Sequence, residues 1–164
     1  MAMPARKKPT ATRALTPAPE NHCEQRAPPS KVLSSPEAKG RVLIVEDDIP
    51  LSTVVEDTLT YEGYAVVGTA RSAEEAISMA VARGPDLVLM DVKLLDNSDG
   101  IAAAGEILER TGIRCLMATG QTDAKTKARA ALVQPLGWLP KPYGNEEMVQ
   151  AVADALRCNR ASCP

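Results

Sequence analysis

Between Arg41 and Arg157 the chain repeats one pattern five times, a short apolar run followed by an amphipathic stretch. Such alternation marks βαβ units. A parallel strand buried on both faces reads as a continuous apolar run, whereas a helix on the sheet surface reads with a 3.6-residue period. The predicted strands are Arg41–Val45, Ala65–Val67, Asp86–Met90, Ile113–Met117 and the short Gly137–Leu139. Leu51, Val54, Val55, Thr58 and Leu59 recur at helical spacing up to Gly63, which is placed to be the C′ residue. A second helix opens at Ser72 with Glu75 three residues on, a capping-box spacing, and stops at Gly84-Pro85. Helices over Ile101–Arg110, about Asp123–Leu132 and Glu146–Arg157 complete the repeats.

Parallel strands joined by right-handed crossovers give an α/β, doubly wound open sheet, with its ligand crevice at the carboxyl ends of the strands. A chain of 164 residues has length for one core, and without Phe, with one Trp and three Tyr, that core is aliphatic. Residues 1–39 hold seven of the thirteen prolines and no apolar period, so they are expected to form a disordered, basic extension. The folded domain is expected over 40–158, with a short flexible tail over 159–164. Net charge is −2, but residues 1–40 carry about +4 and the rest about −6. That balance gives no reason to expect nucleic-acid or membrane binding. Cys23, Cys115, Cys158 and Cys163 show no metal-ligand spacing, and no run of about 18 apolar residues occurs, so the expected compartment is the cytosol.

The residues that follow the apolar runs meet on one rim: Glu46, Asp47 and Asp48 after the first, Asp91 after the third, Thr119 after the fourth and Lys141 after the fifth. Carboxylates gathered there raise one another's proton affinity, so Glu46, Asp47 and Asp91 together demand a cation. Mg²⁺ suits hard carboxylate oxygens plus retained waters, and leaves a position for a phosphoryl oxygen. Asp91, between that metal and Lys141, is the candidate nucleophile, and an acyl phosphate would be its product. Phosphoryl transfer needs positioning and charge neutralisation more than acid–base chemistry, and the Lys141 ammonium and Thr119 hydroxyl would supply both beside the metal.

Val45-Glu-Asp-Asp48, Leu89-Met-Asp-Val92 followed by Asp99-Gly100, Met117-Ala-Thr119 and Leu139-Pro-Lys-Pro142-Tyr143 resemble, in order and at strand ends, the receiver domain of two-component response regulators, the CheY-like family. The resemblance covers about residues 40–157. It implies a flavodoxin-like (βα)5 sheet of strand order 2-1-3-4-5, with Asp91 as phosphoacceptor. It also implies that Glu46 and Asp47 are the acidic pair, that Mg²⁺ is held by Asp47, Asp91 and the Lys93 backbone carbonyl, and that Thr119 and Lys141 touch the phosphoryl group. Pro142 would follow a cis peptide that aims Lys141 into the crevice. Trp138 stands where the family keeps a switching aromatic. On phosphorylation Thr119 would move toward the phosphoryl oxygens and Trp138 would turn inward, altering the face of the fourth helix, fifth strand and fifth helix. The implied partners are a sensor histidine kinase or histidine phosphotransferase and a downstream protein. Homodimerisation through the last two helices stays open. The chain departs from the family at Leu95, where proline is frequent, and in the Asp96, Asn97, Ser98 loop. Gly120 keeps a small residue beside Thr119. Lys93 and Gln121, two residues beyond Asp91 and Thr119, resemble positions that tune access of water and so the lifetime of the phosphoryl state.

Three functions compete. A phosphorylation-controlled binding module is one reading, with no DNA-binding or enzymatic domain expected after Arg157. A phosphorelay intermediate or phosphate sink uses the same chemistry. A Mg²⁺ hydrolase on a similar sheet is disfavoured, because Lys93 stands where such enzymes keep a second aspartate; nucleotide-binding glycine motifs do not occur. Several residues also have plainer readings. Asp48 reads as an exposed acid leading a helix, Trp138 as strand-edge cover, and His22 as solvent-exposed. Lys125, Lys127 and Arg129 read as a docking patch or, more plainly, as a solvated face, and Cys115 as inert core.

Overall fold

The computed structural model describes residues 38–94, 98–120 and 124–161. The expectations for residues 1–37, among them His22 and Cys23, and for Leu95, Asp96, Asn97, Gln121 and Cys163 lie outside the described residues. Strands β1 (Arg41–Val45), β2 (Ala65–Ala70), β3 (Leu87–Asp91), β4 (Cys115–Thr119) and β5 (Gly137–Pro140) alternate with helices α1 (Ile49–Tyr61), α2 (Ala73–Arg83), α3 (Gly100–Thr111), α4 (Ala124–Ala131) and α5 (Asn145–Ala161). The four pairings between these strands are parallel and the order is β2-β1-β3-β4-β5, the flavodoxin-like arrangement.

Helix ends follow local chemistry. Asp48 caps α1, its Oδ1 accepting from Leu51 N–H at 3.0 Å. The end of α1 is a Schellman motif: Gly63, at φ +85°, donates to the Thr60 carbonyl at 3.0 Å and Tyr64 to the Leu59 carbonyl at 2.9 Å. Leu59 and Tyr64, the apolar pair such a motif brings together, are both buried. Ser72 Oγ caps α2 by accepting from Glu75 N–H at 3.3 Å, while the Glu75 carboxylate reaches back to Arg71 N–H at 2.8 Å. That return bond lands one residue ahead of the usual capping-box partner.

Alternate strand residues feed two cores. Leu43, Val45, Val88, Met90, Cys115 and Met117 pack with Ala76 and Ala80 of α2, Ala103, Ala104 and Ile107 of α3 and Ala130 of α4. Val42, Ile44, Leu87, Leu89, Leu116, Ala118 and Leu139 pack with Val55 and Leu59 of α1 and Met148, Val152, Ala155 and Leu156 of α5. Sheet faces alternate with period two, so continuous apolar runs serve both layers.

The structure moves several boundaries. β2 runs on to Ala70 through Gly68 and Thr69, because Leu43, Ile44 and Val45 need partners there; as an edge strand it carries no apolar run to announce that length. β4 starts at Cys115, not Ile113, and includes Thr119, which pairs with Pro140. α5 continues past Arg157 to Ala161, so 159–161 are helical where a flexible tail was expected. Two long-range bonds hold that last turn, Asn159 Nδ2 to the Asp86 carbonyl at 3.1 Å and an Arg160 guanidinium N–H to the Lys39 carbonyl at 2.7 Å.

Candidate functional site

Asp91 is the last residue of β3, the strand at the centre of the sheet, and it pairs with Ala118 of β4. Glu46 follows β1 directly, and its N–H donates to the Ala70 carbonyl at 3.0 Å. Asp47 comes next, before the Asp48 cap turns the chain into α1. Lys141 follows β5, its N–H bonded to the Thr119 carbonyl at 2.8 Å, and its peptide bond to Pro142 is cis, as the family resemblance implied. Gly100 opens α3 against this rim and donates to the Val92 carbonyl at 3.1 Å.

These elements bring charge together. The Lys141 ammonium donates to Glu46 Oε2 and to Asp91 Oδ2, each at 2.6 Å, and Lys93 N–H donates to Asp91 Oδ1 at 3.0 Å. Glu46 and Asp91 are buried and Asp47 is half-buried. Carboxylate oxygens of Glu46, Asp47 and Asp91 lie within 4.8 Å of one another. Burial pushes the Glu46 carboxyl above its ordinary range; the Lys141 ammonium offsets that in part and the Asp91 charge adds to it. Burial acts to lower Lys141, but its bonds to Asp91 and Glu46 outweigh it and hold the ammonium above its ordinary value. Three hard carboxylate oxygens on one partly open rim suit a divalent cation of the Mg²⁺ kind, and a single lysine does not neutralise them.

Thr119 is buried at the same rim and lines a groove of about 510 Å³ with Lys93, Asp99, Thr126 and Arg129. A Cβ at Gly120 would meet nothing within 4 Å, so this position is open. Trp138 is half-buried and packs on the layer of α2, α3 and α4. Asp48 is an exposed helix cap, in line with its plainer reading.

The family model of the response regulator receiver domain matches residues 42–153. The chain belongs to the receiver-domain family. Among similar proteins, the transcriptional regulatory protein PdtaR of Mycobacterium tuberculosis is 38% identical over 114 residues, 68% of this chain and 54% of that protein. A protein-glutamate methylesterase/protein-glutamine glutaminase of Methanospirillum hungatei is 30% identical over 73% of this chain and 36% of its own length. The signal receiver domain of a modulated diguanylate cyclase from Desulfovibrio desulfuricans superposes with TM-score 0.68 at 29% identity, covering 74% of this chain and 97% of that one. The response regulator PhyR of Brucella abortus gives TM-score 0.64 at 27% identity, covering 77% of this chain and 51% of that one. The chain spans about half the length of the first curated relatives it matches. Among the described residues, no helix is long and apolar enough to cross a membrane.

The receiver domain thus gathers Glu46, Asp47, Asp91, Thr119 and Lys141, together with the backbone of Lys93, at one sheet edge. Two other residues were not given roles by their sequence. Tyr143 lies close enough for Glu46, Asp91 and Lys141 to influence its hydroxyl, which burial raises above its ordinary range. Its place directly after the Lys141-Pro142 pair was the available signal. Arg129, read as part of a docking patch or a solvated face, forms an ion pair with Asp99. The 30-residue separation between them carries no local pattern.

Proposed function

We propose that this receiver domain accepts a phosphoryl group on Asp91 from the phosphohistidine of a sensor histidine kinase or histidine phosphotransferase, and signals by altered binding to a further protein. The observation that carries the reading is the Asp91 carboxylate itself, buried at the end of the central strand with Lys141 on one oxygen and Lys93 N–H on the other. An Asp91 oxygen forms the new bond to phosphorus, the phosphorus–nitrogen bond breaks, and the imidazole leaves with that electron pair. Lys141 then neutralises a phosphoryl oxygen as it does a carboxylate oxygen now, and the buried Thr119 hydroxyl lies on the rim the group enters. Glu46, Asp47, Asp91 and the Lys93 carbonyl would hold Mg²⁺, which supplies charge neutralisation for the incoming phosphoryl oxygens. Trp138, packed on the layer that includes α4, is the side chain through which the change would reach the surface. Lys93 and Gln121 would set how long the phosphoryl group lasts. Cysteines without metal-ligand spacing fit work in the cytosol.

The deciding experiment incubates the full chain with acetyl phosphate and Mg²⁺, beside Asp91→Asn and a chelated control, and reads intact mass. A gain of one phosphoryl group that requires both Asp91 and the metal is expected. A gain that survives Asp91→Asn, or none from a folded protein given either acetyl phosphate or a phosphorylated histidine phosphotransferase, overturns the reading.

A further inference from the structure

Arg129, on α4, lines the same groove as Lys93, Asp99 and Thr119 and forms an ion pair with Asp99. Asp99 is already committed to the local backbone. Its Oδ1 accepts from Ile101 N–H at 3.0 Å and caps α3, and its backbone forms an antiparallel bridge with Lys93. Beside that bridge Leu94 N–H donates to the Ser98 carbonyl at 3.3 Å. Lys93 in turn donates its N–H to Asp91 Oδ1 at 3.0 Å. An unbroken line of contacts therefore runs from a side chain on α4 to the carboxylate of the candidate phosphoacceptor.

Arg129 bonds to Asp99 and Lys93 to Asp91, so Arg129 acts on Asp91 through intervening residues and its effect falls on orientation. We infer that Arg129 is a positioning residue for phosphorylation of Asp91: through Asp99 it steadies Lys93 and keeps that N–H on Asp91 Oδ1. This rests on the reading of Asp91 as phosphoacceptor. Coupling of this kind is reciprocal, so an acidic partner surface that draws Arg129 away from Asp99 slackens the support and changes how readily Asp91 is phosphorylated. The paired side chains are 51% and 36% exposed, which keeps the effect modest.

The test compares wild type, Arg129→Ala, Arg129→Lys, Asp99→Asn and the Arg129→Ala/Asp99→Asn double variant. Asp99→Asn keeps an oxygen for the helix cap and removes the charge. Phosphorylation by acetyl phosphate is timed over a range of donor concentrations, and exchange of the Lys93 amide is followed by NMR in metal-free protein. Arg129→Ala and Asp99→Asn are each expected to slow phosphorylation at saturating donor about two- to fivefold, the rate equivalent of a partly exposed ion pair. The KM for donor stays unchanged and Lys93 exchanges faster by a similar factor. The double variant is no slower than either single one, because both remove the same support, and Arg129→Lys recovers part of the rate. Multiplied effects in the double variant, or Lys93 exchange that Arg129→Ala leaves unchanged, overturn the inference even when the wild type is phosphorylated normally. A wild type that takes up no phosphoryl group defeats the reading of Asp91 first, and Lys93 exchange still decides whether Arg129 provides the support.

Discussion

Gly100 lies directly against the backbone carbonyl of Asp91: a Cβ at Gly100 would stand 1.9 Å from that oxygen. The first residue of α3 is thus pressed onto the last residue of β3, a close approach open only to a residue without a side chain. Gly100→Ala is expected to cost about 3 kcal/mol or more, at the upper end of overpacking, because a backbone atom has little room to yield. Urea denaturation followed by circular dichroism measures it. A change within about 0.5 kcal/mol would mean that the contact relaxes freely.

Lys141 is the one cation bonded to both Glu46 and Asp91 among the described residues. Lys141→Met keeps the aliphatic stem and removes the charge. Phosphorylation by acetyl phosphate is expected to fall about 10²-fold, the usual penalty for losing one donor aimed at developing negative charge. Lys141→Arg should recover little, since a planar fork does not reproduce an ammonium that points at two oxygens. Equal rates in wild type and Lys141→Met would remove Lys141 from the reaction.

Asp47 is the most accessible of the three clustered acids and lies outside the bonds Lys141 makes with the other two. Mg²⁺ is expected to stabilise the protein against heat, by about 2.7 kcal/mol at one hundred times its Kd. Asp47→Asn should abolish the shift between melts in Mg²⁺ and in chelator. A shift that persists in Asp47→Asn places the metal elsewhere.

Cys115 lies in β4 with its thiol pushed up to about 12 by burial, while Cys158 is exposed. At pH 8 the thiolate fraction at Cys115 is about one in 10⁴. A maleimide should therefore label Cys158 and leave Cys115 untouched until denaturant is added, as read by peptide mapping. Labelling of Cys115 at the rate of Cys158 would show that β4 opens readily.

The sequence was legible where the cause of structure is local. Ser72 with Glu75 announced the start of α2 and Gly63 the end of α1, and both act through bonds spanning at most five residues. The rim was legible for a topological reason: once the strands are parallel, Glu46, Asp91, Thr119 and Lys141 must share an edge. What stayed hidden depends on distant partners. The last turn of α5 is held by Asp86 and Lys39, 73 and 121 residues away, and the role of Arg129 depends on Asp99. The division of labour within the acidic cluster was likewise hidden, since spacing shows that three carboxylates meet but not that Lys141 claims Glu46 and Asp91.

Neighbouring residues of one strand serve opposite layers of this molecule. Trp138 packs on the side of α2, α3 and α4, whereas Leu139 beside it packs on the side of α1 and α5. The sheet is therefore a partition wall with separate tenants. Trp138 borders one room and Leu139 the other. Strand β5 is thus a hinge pin shared by two leaves, and any movement of Trp138 starts from a backbone that Leu139 keeps fastened to the α1 and α5 layer.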